Sequence, residues 1–197
     1  MDRLTSAARD ELRALAARYG EPVRIRRRLR GVSFDPITRS DRFGEVAMAI
    51  RRPSGTLLLS TKEFYPPGAY RLPTGGISHG EGILDALRRE AHEETGLETE
   101  VRRFLARIDY LAPAGADAVF HTFAFLLDER GGTLGSLDPA ERISSYREVR
   151  PEELEEVARR LEAATGAAPE IGGEWADWGR FRSVVHDAVA RALREIG

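Results

Sequence analysis

Residues 75–97 read GGISHGEGILDALRREAHEETGL and carry the strongest structural signal in the chain. The glycines predict a tight loop, and behind them apolar residues recur at helical spacing, which predicts a helix over about 82–95. Glu90, Glu93 and Glu94 fall at i, i+3 and i+4, so their carboxylates share one helical face. They repel one another and lie in the last turns of the helix, where the macrodipole disfavours negative charge. A divalent cation would offset that repulsion, and an all-oxygen cluster suits Mg²⁺ or Mn²⁺.

The same stretch resembles the Nudix box, G-x5-E-x7-R-E-U-x-E-E-x-G-U, in which U is an aliphatic residue. Read from Gly75, the sequence meets every fixed letter, and Ala91 and Leu97 occupy aliphatic positions. The equally charged segment 152–162 has neither the glycines nor the spacing, and we interpret it as an exposed helix face without chemistry. The resemblance covers roughly residues 40–165. It implies an α/β fold, a Nudix-type α/β/α sandwich with a mixed sheet, to which N-terminal and C-terminal helices are added.

The resemblance also implies an activity and a set of site residues. The expected enzyme is a pyrophosphohydrolase that uses Mg²⁺ or Mn²⁺ to cleave the pyrophosphate bond of a nucleoside diphosphate linked to another moiety. The implied metal ligands are Gly75, through its carbonyl, and Glu90, Glu93 and Glu94. The implied supporting residues are Glu81 and Arg89. Arg89 can pair with Glu93 or reach back to Glu81, and either contact would orient the ligands.

The general base is left open by the resemblance, because relatives use a box glutamate or one on a later loop. The catalytic candidates are Glu93, Glu94 and Glu141. Glu141 precedes a predicted strand at 143–149, and an exposed loop acid is the alternative. Tyr70 and Arg71 are candidates for binding the substrate, although loop packing explains them equally well. We predict that His121 is a half-buried, hydrogen-bonded histidine rather than a base.

Part of the segment departs from the pattern of many relatives, which carry Pro-Gly-Gly, a basic residue, an aliphatic residue and an acid. Here Thr74 replaces one glycine, Gly76 replaces the basic residue and Ser78 replaces the acid. The metal ligands are retained, so these departures bear on substrate binding more than on catalysis. Lys62 is the only lysine among 30 basic residues. We interpret the excess of arginine as a compositional bias in which Lys62 carries no functional weight.

The rest of the chain predicts three segments. They are an N-terminal helix and extended arm at 1–35, a Nudix hydrolase domain at 36–165, and a C-terminal helix packed on that domain at 166–197. Besides the helix at 82–95, helices are predicted at 3–18, from Pro151 onward and at 174–196. Strands are predicted at 44–51, 56–60, 70–72, 101–111, 118–127 and 143–149.

Composition narrows the classes of protein. The chain has 197 residues, of which 42% are hydrophobic and 31% charged, as in soluble globular proteins. A net charge of -2 gives no support for a nucleic-acid-coating surface, and the absence of cysteine excludes disulfides, thiolate metal sites and cysteine nucleophiles. Its start lacks a signal peptide, and no run approaches a membrane span, so we expect a cytoplasmic protein. The expected partner is a small-molecule nucleoside diphosphate derivative, without membrane or nucleic acid, and a homodimer is left open.

Rival functions differ in what they require. A Nudix-like isopentenyl diphosphate isomerase would need a catalytic cysteine. A Nudix-derived transcription regulator usually has a degenerate box and a winged-helix tail. A catalytically silent nucleotide sensor would bind nucleotide and metal without turnover, and the sequence leaves it open.

Overall fold

The computed structural model describes residues 4–196, which form a central mixed sheet with helices on both faces. The helices are α1 (Ser6–Tyr19), α2 (Ile83–Thr95), α3 (Leu154–Glu162) and α4 (Trp175–Ile196). The strands are β1 (Val23–Arg28), β2 (Arg42–Arg51), β3 (Leu57–Lys62), β4 (Thr74–Ser78), β5 (Leu97–Leu111), β6 (Ala118–Gly132), β7 (Ile143–Val149), β8 (Ala167–Ala168) and β9 (Gly173–Glu174). Short 3₁₀ turns lie at Pro139–Glu141, Pro151–Glu153 and Pro169–Ile171.

Strand order in the main sheet is β1-β5-β6-β2-β3-β7, with β4 also paired to β2. The β1–β5 and β2–β6 pairs are parallel. The β5–β6, β2–β3, β2–β4 and β3–β7 pairs are antiparallel. The mixed sheet predicted from the sequence is therefore confirmed.

Alternation of side chains along β2 divides the core into two layers, because successive residues of a strand point to opposite faces. Val46, Met48 and Ile50 belong to the core that contains α1 and α2. Ala47 and Ala49 belong to the core that contains α3 and α4. Each of these side chains is fully buried. The resulting α/β/α sandwich confirms the predicted fold class.

Several predicted elements are present with shifted ends. The helix predicted at 3–18 begins at Ser6. Residues 1–3 and 197, which belong to the predicted terminal segments, lie outside the described residues. The strand predicted at 143–149 matches β7. Within residues 4–196, no helix is long and apolar enough to cross a membrane.

The glycines ahead of α2 form a strand, where the sequence predicts a loop. β4 pairs antiparallel with β2, and Gly75 lies opposite Val46. The strand predicted at 70–72 is reduced to a single bridge between Ser60 and Arg71. Turn propensity is local, whereas this pairing joins residues far apart in the chain, so the prediction was wrong here. As a consequence, the backbone of Gly75 is fixed beside α2.

The start of α2 is capped by a side chain from α1. Gly82 at the N-cap position has no side chain, so the first backbone N–H groups need another acceptor. The Glu11 carboxylate accepts hydrogen bonds from the N–H groups of Ile83 (2.9 Å) and Leu84 (3.0 Å). Its negative charge also complements the positive end of the helix dipole. At the other end, Gly96 adopts a left-handed φ of 66°. The helix that carries the carboxylates is thus held at both ends.

Candidate metal and active site

The glutamates of α2 differ in burial. Glu94 is fully buried and Glu90 is 6% exposed. The side chain of Glu93 is 39% exposed. Glu90 and Glu94 therefore face the interior, while Glu93 lies at the edge of the same face.

Glu141 joins this pair from a distant part of the chain. It ends the 3₁₀ turn Pro139–Glu141, whose start is capped by Asp138 accepting from the Ala140 N–H at 2.8 Å. One carboxylate oxygen from each of Glu90, Glu94 and Glu141 lies within 4.8 Å of the other two. The structure thus brings the outside candidate Glu141 to the box glutamates.

The loop that carries Glu141 is anchored on the end of α2. The Leu137 N–H donates to the Glu93 carbonyl at 2.8 Å, and the Gly135 N–H donates to the Thr95 carbonyl at 2.9 Å. Because these bonds use helix carbonyls that lack partners within α2, they tie the loop to the same turn that bears Glu94.

The buried carboxylates lack enough counter-charge. Neither side-chain oxygen of Glu94 has a hydrogen-bond partner among the described residues, and the Arg71 guanidinium is 3.9 Å away. Burial raises the pKa of Glu94 to about 8, although Arg71 and Lys62 act to lower it. Burial also raises the pKa of Glu90, against the hydrogen bond from Arg89. Unpartnered buried carboxylates are costly, and clustered carboxylate oxygens suit Mg²⁺ or Mn²⁺. The residues present therefore fit a divalent cation.

Gly75 is required by the close approach of β4 to α2. A Cβ atom at position 75 would lie 1.9 Å from the Cδ atom of Glu90. Any other residue type would displace the Glu90 carboxylate from its place beside this backbone. The backbone of Gly75 consequently borders the cluster, as the ligand role implied for its carbonyl requires.

Arg89 connects the strand, the turn and the helix. It donates to both oxygens of Glu81 at 2.8 and 3.0 Å. It also donates to Glu90 at 2.8 Å, to Glu93 at 3.0 Å and to the Gly76 carbonyl at 3.1 Å. Both contacts proposed from the sequence are thus made simultaneously. A planar guanidinium with five donors can satisfy these acceptors together, whereas lysine could not.

The carboxylates open onto a cleft of about 510 Å³. This volume lies within the range of small-molecule sites. Five cations from outside the box also line it, namely Arg39, Arg42, Lys62, Arg71 and Arg182. Aromatic side chains in the lining are Phe64, Tyr65 and Trp178. The cleft therefore offers carboxylates, cations and rings to one ligand.

The sequence profile of the NUDIX domain matches residues 42–169, the larger part of the chain. The chain belongs to the Nudix family. This confirms the resemblance carried by residues 75–97.

Curated relatives match shorter stretches. The chain is 37% identical to Nudix hydrolase 2 of Arabidopsis thaliana over 73 residues, which are 36% of this chain and 26% of that protein. It is 39% identical to the NAD-capped RNA hydrolase NUDT12 of Homo sapiens over 62 residues, 31% of this chain and 13% of that protein. The matches thus span about a quarter or less of each relative. A crystal structure of UDP-X diphosphatase shares the fold with a TM-score of 0.51 and 14% identity, covering 83% of this chain and 68% of the other.

The two upstream candidates of this Nudix protein lie in different surroundings. Arg71 lines the cleft but is only 1% exposed, and it donates to the Tyr65 hydroxyl at 3.0 Å and the Leu72 carbonyl at 2.8 Å. Tyr70 does not line the cleft. Its hydroxyl lies 2.7 Å from that of Ser145, and Arg147 covers its ring at 4.3 Å. Its contacts are those of the packing alternative, because neighbouring side chains occupy both its ring and its hydroxyl.

His121 is more buried than the sequence predicts. It is fully buried, and its Nδ1 atom lies 2.8 Å from an Asp109 oxygen. The prediction of a half-buried side chain was wrong because β6 is a central strand, covered on both faces. A hydrogen-bonded structural histidine still describes it.

Sequence reasoning did not single out Arg39, Arg42, Glu45 or Arg182. Arg182 in α4 donates to both oxygens of Glu45 in β2, at 2.7 and 2.8 Å, and both residues line the cleft. No local pattern links positions so far apart. Lys62 was noted as the sole lysine, but it was interpreted as a compositional bias without functional weight.

Proposed function

We propose that this Nudix protein is a divalent-metal-dependent hydrolase that cleaves the pyrophosphate bond of a nucleoside diphosphate linked to another moiety. The observation that carries the proposal is the cluster of Glu90, Glu94 and Glu141, in which the buried oxygens of Glu94 lack partners. Family membership and a cleft of suitable size support it.

In this proposal, Glu90 and Glu94 hold Mg²⁺ or Mn²⁺, with Glu93 and the Gly75 carbonyl as further ligands. The cation would neutralise charge on the pyrophosphate and lower the pKa of a bound water. Arg89 keeps Glu90 and Glu93 oriented through its hydrogen bonds at 2.8 and 3.0 Å. Such supporting contacts typically affect metal affinity or activity by about 10- to 100-fold.

Glu141 is the residue we assign to accept the proton of the attacking water. Burial raises the pKa of Glu141, but Lys62 at 2.7 Å, together with Glu94 and Arg71, lowers it, and the pKa lies below its usual range. Glu141 is therefore ionised at neutral pH and able to accept a proton. Glu93 is the alternative base, but this proposal already uses its carboxylate as a metal ligand.

The substrate assay combines a panel of nucleoside diphosphate derivatives with Mg²⁺ or Mn²⁺ and measures the phosphorus-containing products. Glu94→Gln removes a carboxylate ligand of the proposed metal site at nearly constant shape. Glu156→Gln is the matched control, because Glu156 lies on α3 away from the cleft. We expect turnover of at least one compound, abolished in E94Q and unchanged in E156Q.

Binding of Mn²⁺ and nucleotide is measured in parallel. Metal-dependent nucleotide binding without turnover across the panel would refute the assignment of catalysis and favour a nucleotide sensor. Equal turnover in E94Q and the unsubstituted protein would refute the assignment of Glu94 to the active site.

A further inference from the structure

Lys62, the only lysine of the chain, is the last residue of β3 and lies in the candidate site. Its Nζ atom is 2.7 Å from a Glu141 oxygen. The side chain is only 16% exposed and lines the cleft. The ammonium group also acts to lower the pKa of both Glu94 and Glu141. The composition alone indicated no role for this residue, whereas its position links it to two carboxylates, Glu94 and Glu141.

The backbone sets the distance between Lys62 and Glu141. Lys62 lies opposite Ile143 in the β3–β7 pair, and the Glu63 N–H donates to the Arg142 carbonyl at 3.0 Å. These sheet contacts bring the last residue of β3 next to the turn that ends in Glu141. The ion pair is therefore built into the sheet edge.

Glu141 needs such a partner because it approaches two other carboxylates. One oxygen of Glu141 lies within 4.8 Å of oxygens of Glu90 and Glu94. Like charges at that distance repel, so attraction to a cation helps to keep Glu141 in place. A half-buried ammonium can supply that attraction, since exclusion of water strengthens charge interactions.

Lysine differs from arginine in the way this position requires. An ammonium is a compact point charge that offers three donors in adjustable directions, whereas a guanidinium is a wider planar fork. The other 29 basic residues of the chain are arginines. A lysine at this one position is therefore consistent with a site where the guanidinium does not fit equally well.

We propose that Lys62 is the positioning residue for Glu141, holding that carboxylate beside Glu90 and Glu94. Its effect on turnover rests on the proposed hydrolase function, whereas its hold on Glu141 does not. Two experiments test the hold on Glu141 and the effect on turnover separately.

The first experiment measures the ion pair in the full chain without any assay of activity. Acetylation of Lys62 by N-hydroxysuccinimidyl acetate is followed by mass spectrometry. We expect the rate to rise at least about fivefold in Glu141→Gln, because the amine loses its charged partner. Glu63→Gln is the matched control, since Glu63 pairs with Arg142 next to the site, and we expect a change of less than twofold. Equal rates in E141Q and the unsubstituted protein would overturn the proposal.

The second experiment compares Lys62→Met and Lys62→Arg on a substrate that the unsubstituted enzyme turns over. We expect K62M to lower kcat by about 10- to 100-fold, with KM and the Mn²⁺ dissociation constant within threefold. K62R, which keeps the charge, should recover part of kcat. A merely structural role would reduce Mn²⁺ affinity and thermal stability together with kcat.

Unchanged kcat in K62M, or parallel loss of kcat, Mn²⁺ affinity and folding, would overturn the positioning role. If the unsubstituted protein turns over no substrate, the proposed function fails instead, and the acetylation rates still decide whether Lys62 holds Glu141.

Discussion

Gly75→Ala should disable the site while leaving the sandwich folded. The added Cβ would lie 1.9 Å from the Glu90 Cδ and 2.1 Å from its Cγ. Ordinary contacts begin near 3.4 Å, so the carboxylate must move by roughly 1.5 Å. β4 cannot give way easily, because Gly75 is paired with Val46. A misplacement of about 1 Å costs on the order of 100-fold in catalysis, and overpacking costs about 1–3 kcal/mol of stability.

The assay is Mn²⁺ binding by calorimetry together with kcat/KM on the substrate that the panel identifies. We expect G75A to bind Mn²⁺ at least about tenfold more weakly and to lose about 100-fold or more in kcat/KM. Gly135→Ala is the matched control, because a Cβ there meets nothing within 4 Å. If G75A bound Mn²⁺ within threefold of the unsubstituted protein, Glu90 would not belong to the cation site as we describe it.

Three further predictions concern stability. Glu11→Ala removes the acceptor for two N–H groups of α2 and should cost about 1–2 kcal/mol, or roughly 2–8 °C in Tm, with partial recovery in E11Q. Arg182→Met leaves Glu45 buried without its cation and should cost about 3–5 kcal/mol in urea unfolding, most of it regained when Glu45→Gln is added. His186 is fully buried, and burial lowers its pKa to about 4 from 6.5. The unfolded chain therefore binds a proton at His186 first as pH falls from 6.5 to 4, and this residue should contribute a loss of stability of about 3 kcal/mol across that window, by which the pH dependence of H186Q should be smaller. Equal slopes in the two proteins would contradict this reasoning.

Elements with a strong local pattern were predicted well from the sequence. The helix predicted at 82–95 is Ile83–Thr95, and the strand predicted at 143–149 is Ile143–Val149. Apolar spacing and flanking glycine are properties of neighbouring residues, so they can be read without the fold. β4 was missed because its strand character comes from pairing with β2, and glycines alone favour a turn.

The same division holds in the candidate site. Glu90 and Glu94 were identified because their spacing is local, and Glu141 was named as one of several base candidates. The contacts that fix their geometry were not predictable. Glu11 caps α2 from another helix, and Lys62 holds Glu141 across a sheet edge. A sequence motif specifies which groups are present, whereas distances of a few ångströms depend on the sheet register.

One departure from the family pattern shows how the fold can compensate for a residue the motif lacks. Gly76 stands where many relatives have a basic residue. From the sequence alone, this departure bears on how the substrate is bound. In the structure, a Cβ at position 76 would lie 2.2 Å from a guanidinium nitrogen of Arg42, so the glycine leaves room for a cation from β2. Arg42 lines the cleft, as do Arg39, Trp178 and Arg182. Arg39 precedes the family match at 42–169, and Trp178 and Arg182 follow it. In the proposed site the box would supply the cation ligands, while the charges and rings available to the rest of a substrate lie on β2 and on the segments that flank the family match. Substitutions at these flanking positions should therefore change KM and substrate choice more than Mn²⁺ affinity.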